Sequence, residues 1–121
     1  MENLTPQEEE AMLILWRLGK GFVKDILEQY PDPKPPYTTL ASTVKNLERK
    51  RYIESRRYGN TFEYTPVIGE VEYKKQFMTG FVKDYFKNSY SELVTFFAKE
   101  RRISPDELKE IIRLIENSDA S

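Results

Sequence analysis

Apolar residues near the start of the chain, Ala11, Met12, Leu15, Trp16 and Leu18, recur every three or four positions behind an acidic opening. That spacing predicts a first helix ending near residue 18, with Trp16 as a core anchor. Thr5 is placed to cap its free amides, Pro6 suits its first turn, and Glu8, Glu9 and Glu10 face the positive end of its dipole. Gly19-Lys20-Gly21 stops it. Phe22, Val23, Ile26, Leu27 and Tyr30 form a second short amphipathic pattern. The run Pro31-Asp32-Pro33-Lys34-Pro35-Pro36 cannot continue that helix, because proline lacks the amide donor and clashes with the preceding turn. A third helix is expected over residues 38–50, with Leu40, Val44 and Leu47 on one face and Ser42, Lys45, Asn46 and Arg49 largely on the others.

The period then changes from helical to two. Residues 52–56 alternate as a strand, Tyr58-Gly59-Asn60 supplies turn chemistry, and residues 61–65 alternate back, which reads as a two-stranded hairpin. Three helices followed by a hairpin is the layout of a winged helix, a helix-turn-helix variant whose third helix can enter the major groove. After Pro66 the helical period returns over residues 67–86, 91–99 and 105–116. The expected organisation is a winged-helix DNA-binding domain over residues 1–66 and a helical dimerisation region over 67–121, in a mainly α fold with a small β-hairpin. A small wing domain cannot cover all the apolar residues of the last three helices. Phe77, Phe81, Phe86, Leu93, Phe97, Leu108, Ile111 and Ile115 are therefore expected between two copies of the chain. A single larger core in a monomer is the competing arrangement.

Composition narrows the chemistry. With no cysteine and no histidine among 121 residues, disulfides, thiolate or imidazole metal sites and histidine-based triads are excluded. No phosphate loop or carboxylate constellation stands out, so no enzymatic activity, metal or cofactor is expected. There is no apolar run long enough to span a bilayer and no basic-then-apolar leader, which predicts a cytoplasmic protein without membrane insertion. The net charge of −1 is unevenly spread. Residues 34–60 hold seven bases (Lys34, Lys45, Arg49, Lys50, Arg51, Arg56, Arg57) against two acids (Glu48, Glu54), a balance of +5 that leaves −6 elsewhere. A local basic segment suits phosphate, although charge alone fits an ordinary solvated surface equally well.

For DNA contact the candidates are Thr38, Thr39, Ser42, Lys45, Asn46 and Arg49 on the third helix, and Arg56, Arg57 and Asn60 in the wing. Asparagine pairs with adenine and lysine or arginine with guanine in the major groove, while the hydroxyls suit phosphates. For each residue taken singly, a solvated helix face or a plain polar hairpin tip remains open. So does a winged helix that serves as a protein-interaction module without sequence-specific DNA binding.

Four stretches, LTPQEEEAMLILW, YTTLASTVKNLERKRYI, FEYTPVI and SELVTFFAKERRISPDELKEIIRLI, together resemble, in that order, the penicillinase repressor family of winged-helix regulators. The resemblance implies a homodimer that represses transcription from inverted-repeat operators in double-stranded DNA. Two departures stand out. Lys50-Arg51 replaces the family's Lys-Gly at the end of the third helix, so the favoured left-handed cap residue is missing and the helix end is expected to be strained or longer. In beta-lactam-sensing members a membrane-bound sensor protease triggers cleavage at an Asn-Phe bond. The matching pair here is Phe96-Phe97, which puts that route of induction in question. Copper-sensing relatives use clustered cysteines, which this chain lacks.

Overall fold

In the computed structural model the described residues are 2–100 and 104–119, without the side chains of 108 and 114–119. They form α1 (Pro6–Leu18), β1 (Gly21–Phe22), α2 (Val23–Glu28), α3 (Tyr37–Arg49), β2 (Ile53–Tyr58), β3 (Thr61–Pro66), α4 (Glu70–Phe86), α5 (Tyr90–Glu100) and α6 (Pro105–Asp119). The chain divides into two compact units between Glu70 and Val71.

In the first unit, α1 begins at a reciprocal capping box. The Glu8 amide donates to the Thr5 hydroxyl at 3.2 Å and the Thr5 amide to the Glu8 carboxylate at 2.9 Å, satisfying two of the amides a helix start leaves open. α1 and α2 both pack on α3, and the core they share holds Met12, Leu15, Ile26, Leu40, Val44 and Leu47. Burying each such side chain stabilises the unit by about 1.5–3 kcal/mol, and truncating Leu47 to alanine would cost about 2–5 kcal/mol through the cavity left behind. Trp16 is half-buried, its indole N–H donating to the Ile68 carbonyl at 2.9 Å.

The expected two-stranded hairpin is a three-stranded antiparallel sheet in the order β1-β3-β2. Gly21 and Phe22, read as the end of a stop signal and the start of a helix, instead pair with Tyr64 and Glu63. Asp25 then caps α2 by accepting the Phe22 amide at 3.0 Å, so the helix starts one residue later than its apolar pattern suggests. The wing turn is as expected. Gly59 takes φ +60° between the paired residues Tyr58 and Thr61, at the turn position where a side chain would be strained.

α3 ends at Arg49 rather than running on. The Tyr52 amide donates to the Leu47 carbonyl at 3.0 Å and the Arg51 amide to the Glu48 carbonyl at 2.9 Å, with Arg51 at φ +69°. This is the Schellman arrangement, with buried Tyr52 and Leu47 as its apolar contact, built on an arginine where glycine is favoured. Of the two expected outcomes, the strained end is the one realised. α4 starts at Glu70, not 67, because the preceding residues are committed to the first unit: the Val67 amide donates to the Tyr52 carbonyl at 2.9 Å and Ile68 is buried.

In the second unit, α4 and α5 are joined through Lys87 and Asn88, at φ +50° and +63°, and Ser89 caps α5 by accepting the Glu92 amide at 3.1 Å. No helix of the described residues is long and apolar enough to cross a membrane.

Candidate nucleic-acid interface

At 100° per residue, the face of α3 opposite Leu40, Val44 and Leu47 carries Thr38, Ser42, Lys45 and Arg49, spaced i, i+4, i+7 and i+11. All four are exposed, as are Thr39 and Asn46 beside them. The structure thus brings the six helix candidates onto one polar surface held by three buried anchors. Arg49 lies 4.0 Å from Glu2, with both side chains more than 60% exposed, so the pair contributes little and is readily exchanged for another anion.

The wing candidates also reach solvent. The Arg56 guanidinium lies over the Tyr58 ring, 5.3 Å from its centroid, and Arg57 Nε donates to the Gly59 carbonyl at 2.7 Å. Both contacts pre-position long side chains near the tip, where Asn60 sits. Two bases of the positive segment do other work. Lys34 donates to the Glu28 and Tyr30 carbonyls at the end of α2. Lys50, its side chain only 9% exposed, donates to Glu8 at 2.6 Å and to the Asn3 carbonyl at 3.0 Å. Lys45, Arg49, Arg51, Arg56 and Arg57 keep the surface basic.

The Glu8–Lys50 pair ties the start of α1 to the end of α3. Burial raises the Glu8 carboxyl, but the hydrogen bonds from Lys50 and Thr5, together with the Lys50 charge, outweigh it and hold the group below its ordinary value. Tyr52, two residues after Lys50, donates its hydroxyl to the Glu2 carbonyl at 2.5 Å and fastens the same corner. Burial pushes the Tyr52 and Tyr64 phenols up, and burial with the nearby Glu10 charge pushes Tyr30 up to about 12. None of these groups lies on the outward stripe of α3. Among the described residues no cluster of acidic side chains could hold a metal ion.

Sequence reasoning missed Lys24, Tyr37 and Phe62, which line a groove of about 460 Å³ together with Ala41, Lys45 and Asn60. Only the folded arrangement of α2, α3 and the wing puts them side by side.

The profile of the penicillinase repressor family matches residues 4–117. The chain belongs to the penicillinase repressor family. Its similarity to individual relatives is distant but nearly complete in extent. It is 22% identical over 114 residues to the methicillin resistance regulatory protein MecI of Staphylococcus aureus (strain N315), covering 93% of each chain. It is 21% identical over 119 residues to the penicillinase repressor of Bacillus licheniformis, covering 94% of this chain and 90% of the relative. A solved CopR repressor structure aligns with a TM-score of 0.47 and 25% identity, covering 55% of this chain and 99% of that one. Membership in this family makes the chain a transcriptional repressor with a winged-helix fold.

In this family member the candidate dimerisation residues are unevenly covered. Phe77 is exposed, Phe81, Phe86, Phe97 and Ile111 are half-buried, and Leu93 is already buried, as is Val82. Leu108 and Ile115 lie outside the described side chains. Along α4, Tyr73, Phe77, Phe81 and Tyr85 form a ladder at i+4 spacing, with successive ring centroids 6.5, 6.3 and 5.1 Å apart. The ladder continues from Phe81 to Phe86 at 5.6 Å, to Phe96 at 5.8 Å and to Phe97 at 5.4 Å. Phe96 and Phe97, the candidate cleavage pair, sit inside α5.

Proposed function

We propose that this repressor binds double-stranded operator DNA as a homodimer, with α3 in the major groove and the wing against the flanking backbone or minor groove. The observation that carries the reading is the polar stripe Thr38, Ser42, Lys45 and Arg49, exposed along α3 exactly opposite its buried anchors and flanked by Asn46. Lysine, arginine and asparagine on a rigid helix can read base edges, while the hydroxyls and wing arginines hold phosphates and fix the register. The second copy is the natural cover for the aromatic ladder of α4 and α5. Two-fold symmetry then asks for a palindromic site with half-sites about one helical turn apart, or a multiple of it.

On this reading the protein acts in the cytoplasm without catalysis or cofactor, and repression is relieved by separating the C-terminal helices. A membrane-bound sensor protease acting at Phe96-Phe97 would first have to open α5 locally, because its backbone there is helical. Selection of bound duplexes from a random pool by the full-length protein tests the reading. A palindromic consensus is expected; retention without any sequence preference would instead make the chain a protein-interaction module.

A further inference from the structure

Residues 2–5 cross the corner where α1 begins and α3 ends, and their backbone is fastened there at three points. The Tyr52 hydroxyl donates to the Glu2 carbonyl at 2.5 Å, Lys50 Nζ donates to the Asn3 carbonyl at 3.0 Å, and Thr5 is locked into the capping box with Glu8. Lys50 is itself fixed by the buried Glu8 carboxylate at 2.6 Å. These anchors act on backbone groups, so they set where the Glu2 side chain starts and leave its carboxylate in solvent. That carboxylate lies 4.0 Å from the Arg49 guanidinium, with the two side chains 62% and 63% exposed. A pair so open and so long is too weak to hold the segment in place. The segment holds the pair.

We propose that residues 2–5 are a fixed strap whose Glu2 carboxylate is a built-in competitor for Arg49, displaced whenever the operator engages that side chain. The inference rests on the proposed DNA-binding reading, in which Arg49 ends the outward stripe of α3. A carboxylate free in solution would rarely occupy this guanidinium, but one carried on an anchored backbone is present at high effective concentration. An exposed pair is worth at most about five-fold in an equilibrium constant, so the strap attenuates binding and does not prevent it. Displacement also has a signature in salt. When Arg49 turns to the duplex it releases a counterion from the DNA, while the Glu2 carboxylate left behind gathers a cation. The two partly cancel, and the wild-type salt dependence is shallower than the strap-free protein would show.

Fluorescence anisotropy of the selected duplex, over a range of salt, with untagged full-length wild type, Glu2→Gln, Arg49→Ala and the double variant tests the assignment. Glu2→Gln keeps the anchored carbonyl and removes only the charge. It should bind about two- to five-fold more tightly at low salt, with a steeper salt slope, so that the gain shrinks as salt rises. In the Arg49→Ala background the same change should be silent. ¹⁵N relaxation should find residues 2–5 as rigid as α1 in both wild type and Glu2→Gln. If wild-type protein binds no duplex, the DNA-binding reading fails and the competitor with it. If it binds but Glu2→Gln binds equally or more weakly, the competitor is overturned while the reading stands. The same holds if Glu2→Gln tightens binding as much without Arg49 as with it, since the carboxylate then acts only through the general field of the protein. Residues 2–5 as mobile as a free tail in wild type would overturn the strap.

Discussion

The two units of this chain solve the same problem differently. The winged unit buries a core of its own, from Ala11 on α1 to Ile68 beyond the wing, leaves Leu13, Tyr37, Tyr58, Phe62 and Val67 at its surface, and locks its corners with the Thr5–Glu8 box and the buried Glu8–Lys50 pair. The C-terminal unit is built from equally apolar helices, yet among its described side chains only Val82 and Leu93 are buried, while Val71, Phe77, Tyr85 and Phe96 are at least half exposed. Stability in the first unit is local. In the second, apolar area is left over, and the large stabilisation available from covering it is what a second copy would realise.

Truncation should have the largest effect. A chain ending at Asn88 should keep a cooperative winged-helix unfolding transition but sediment as a monomer. It should bind the selected operator about 10²- to 10⁴-fold more weakly, through loss of the effective concentration that linkage supplies. Equal affinity of the truncated and intact chains would show that the C-terminal helices do not act by holding two wings together.

Breaking the buried pair should strike the first unit alone. Glu8→Gln or Lys50→Met leaves a charge without its partner in the α1–α3 corner, at a cost of about 3 kcal/mol in thermal or urea unfolding. Because folding holds Glu8 below its ordinary 4.5, its contribution is complete above that value and is lost as pH falls through the lowered one. The Glu8→Gln deficit should therefore be full at neutral pH and fade in acid. A deficit that grows as pH falls would contradict the assigned direction.

On the other unit, Phe77→Ser should weaken self-association by about 2 kcal/mol in sedimentation equilibrium, since the ring is exposed in one copy and central in the ladder. The winged unit's unfolding should barely move. The smallest effect concerns the end of α3, where Arg51 holds a left-handed conformation at φ +69°. Arg51→Gly should stabilise the winged unit by about 0.5–1 kcal/mol by relieving that strain.

Much of the winged unit was legible because its signals are local. A capping box needs residues three apart, the anchors Leu40, Val44 and Leu47 announce a helix and its opposite face, and Gly59-Asn60 between alternating runs announces a hairpin. What was hidden depends on partners distant in sequence. Two residues, Gly21 and Phe22, are too short a strand to show a period and become one only by pairing with β3. Lys50 reads as one more surface base until the fold sets it beside Glu8, forty-two positions away. Val67 and Ile68 fit the apolar period of α4, yet the helix starts only at Glu70 because their backbone groups are used by Tyr52 and Trp16. The polar stripe of α3 could be read from spacing. The aromatic groove beside it could not, since Lys24, Tyr37 and Phe62 come from three different elements.

On the proposed function, α3 reads duplex DNA through its outward stripe. Fluorescence anisotropy of the selected operator with full-length wild-type and Lys45→Ala/Arg49→Ala proteins, over a range of salt, tests it most directly. The double variant should fold and associate as the wild type does but bind more weakly by about 1–3 kcal/mol per lost base contact, or with a salt slope shallower by about one per lost phosphate contact. Unchanged affinity and unchanged slope in the folded double variant would contradict it.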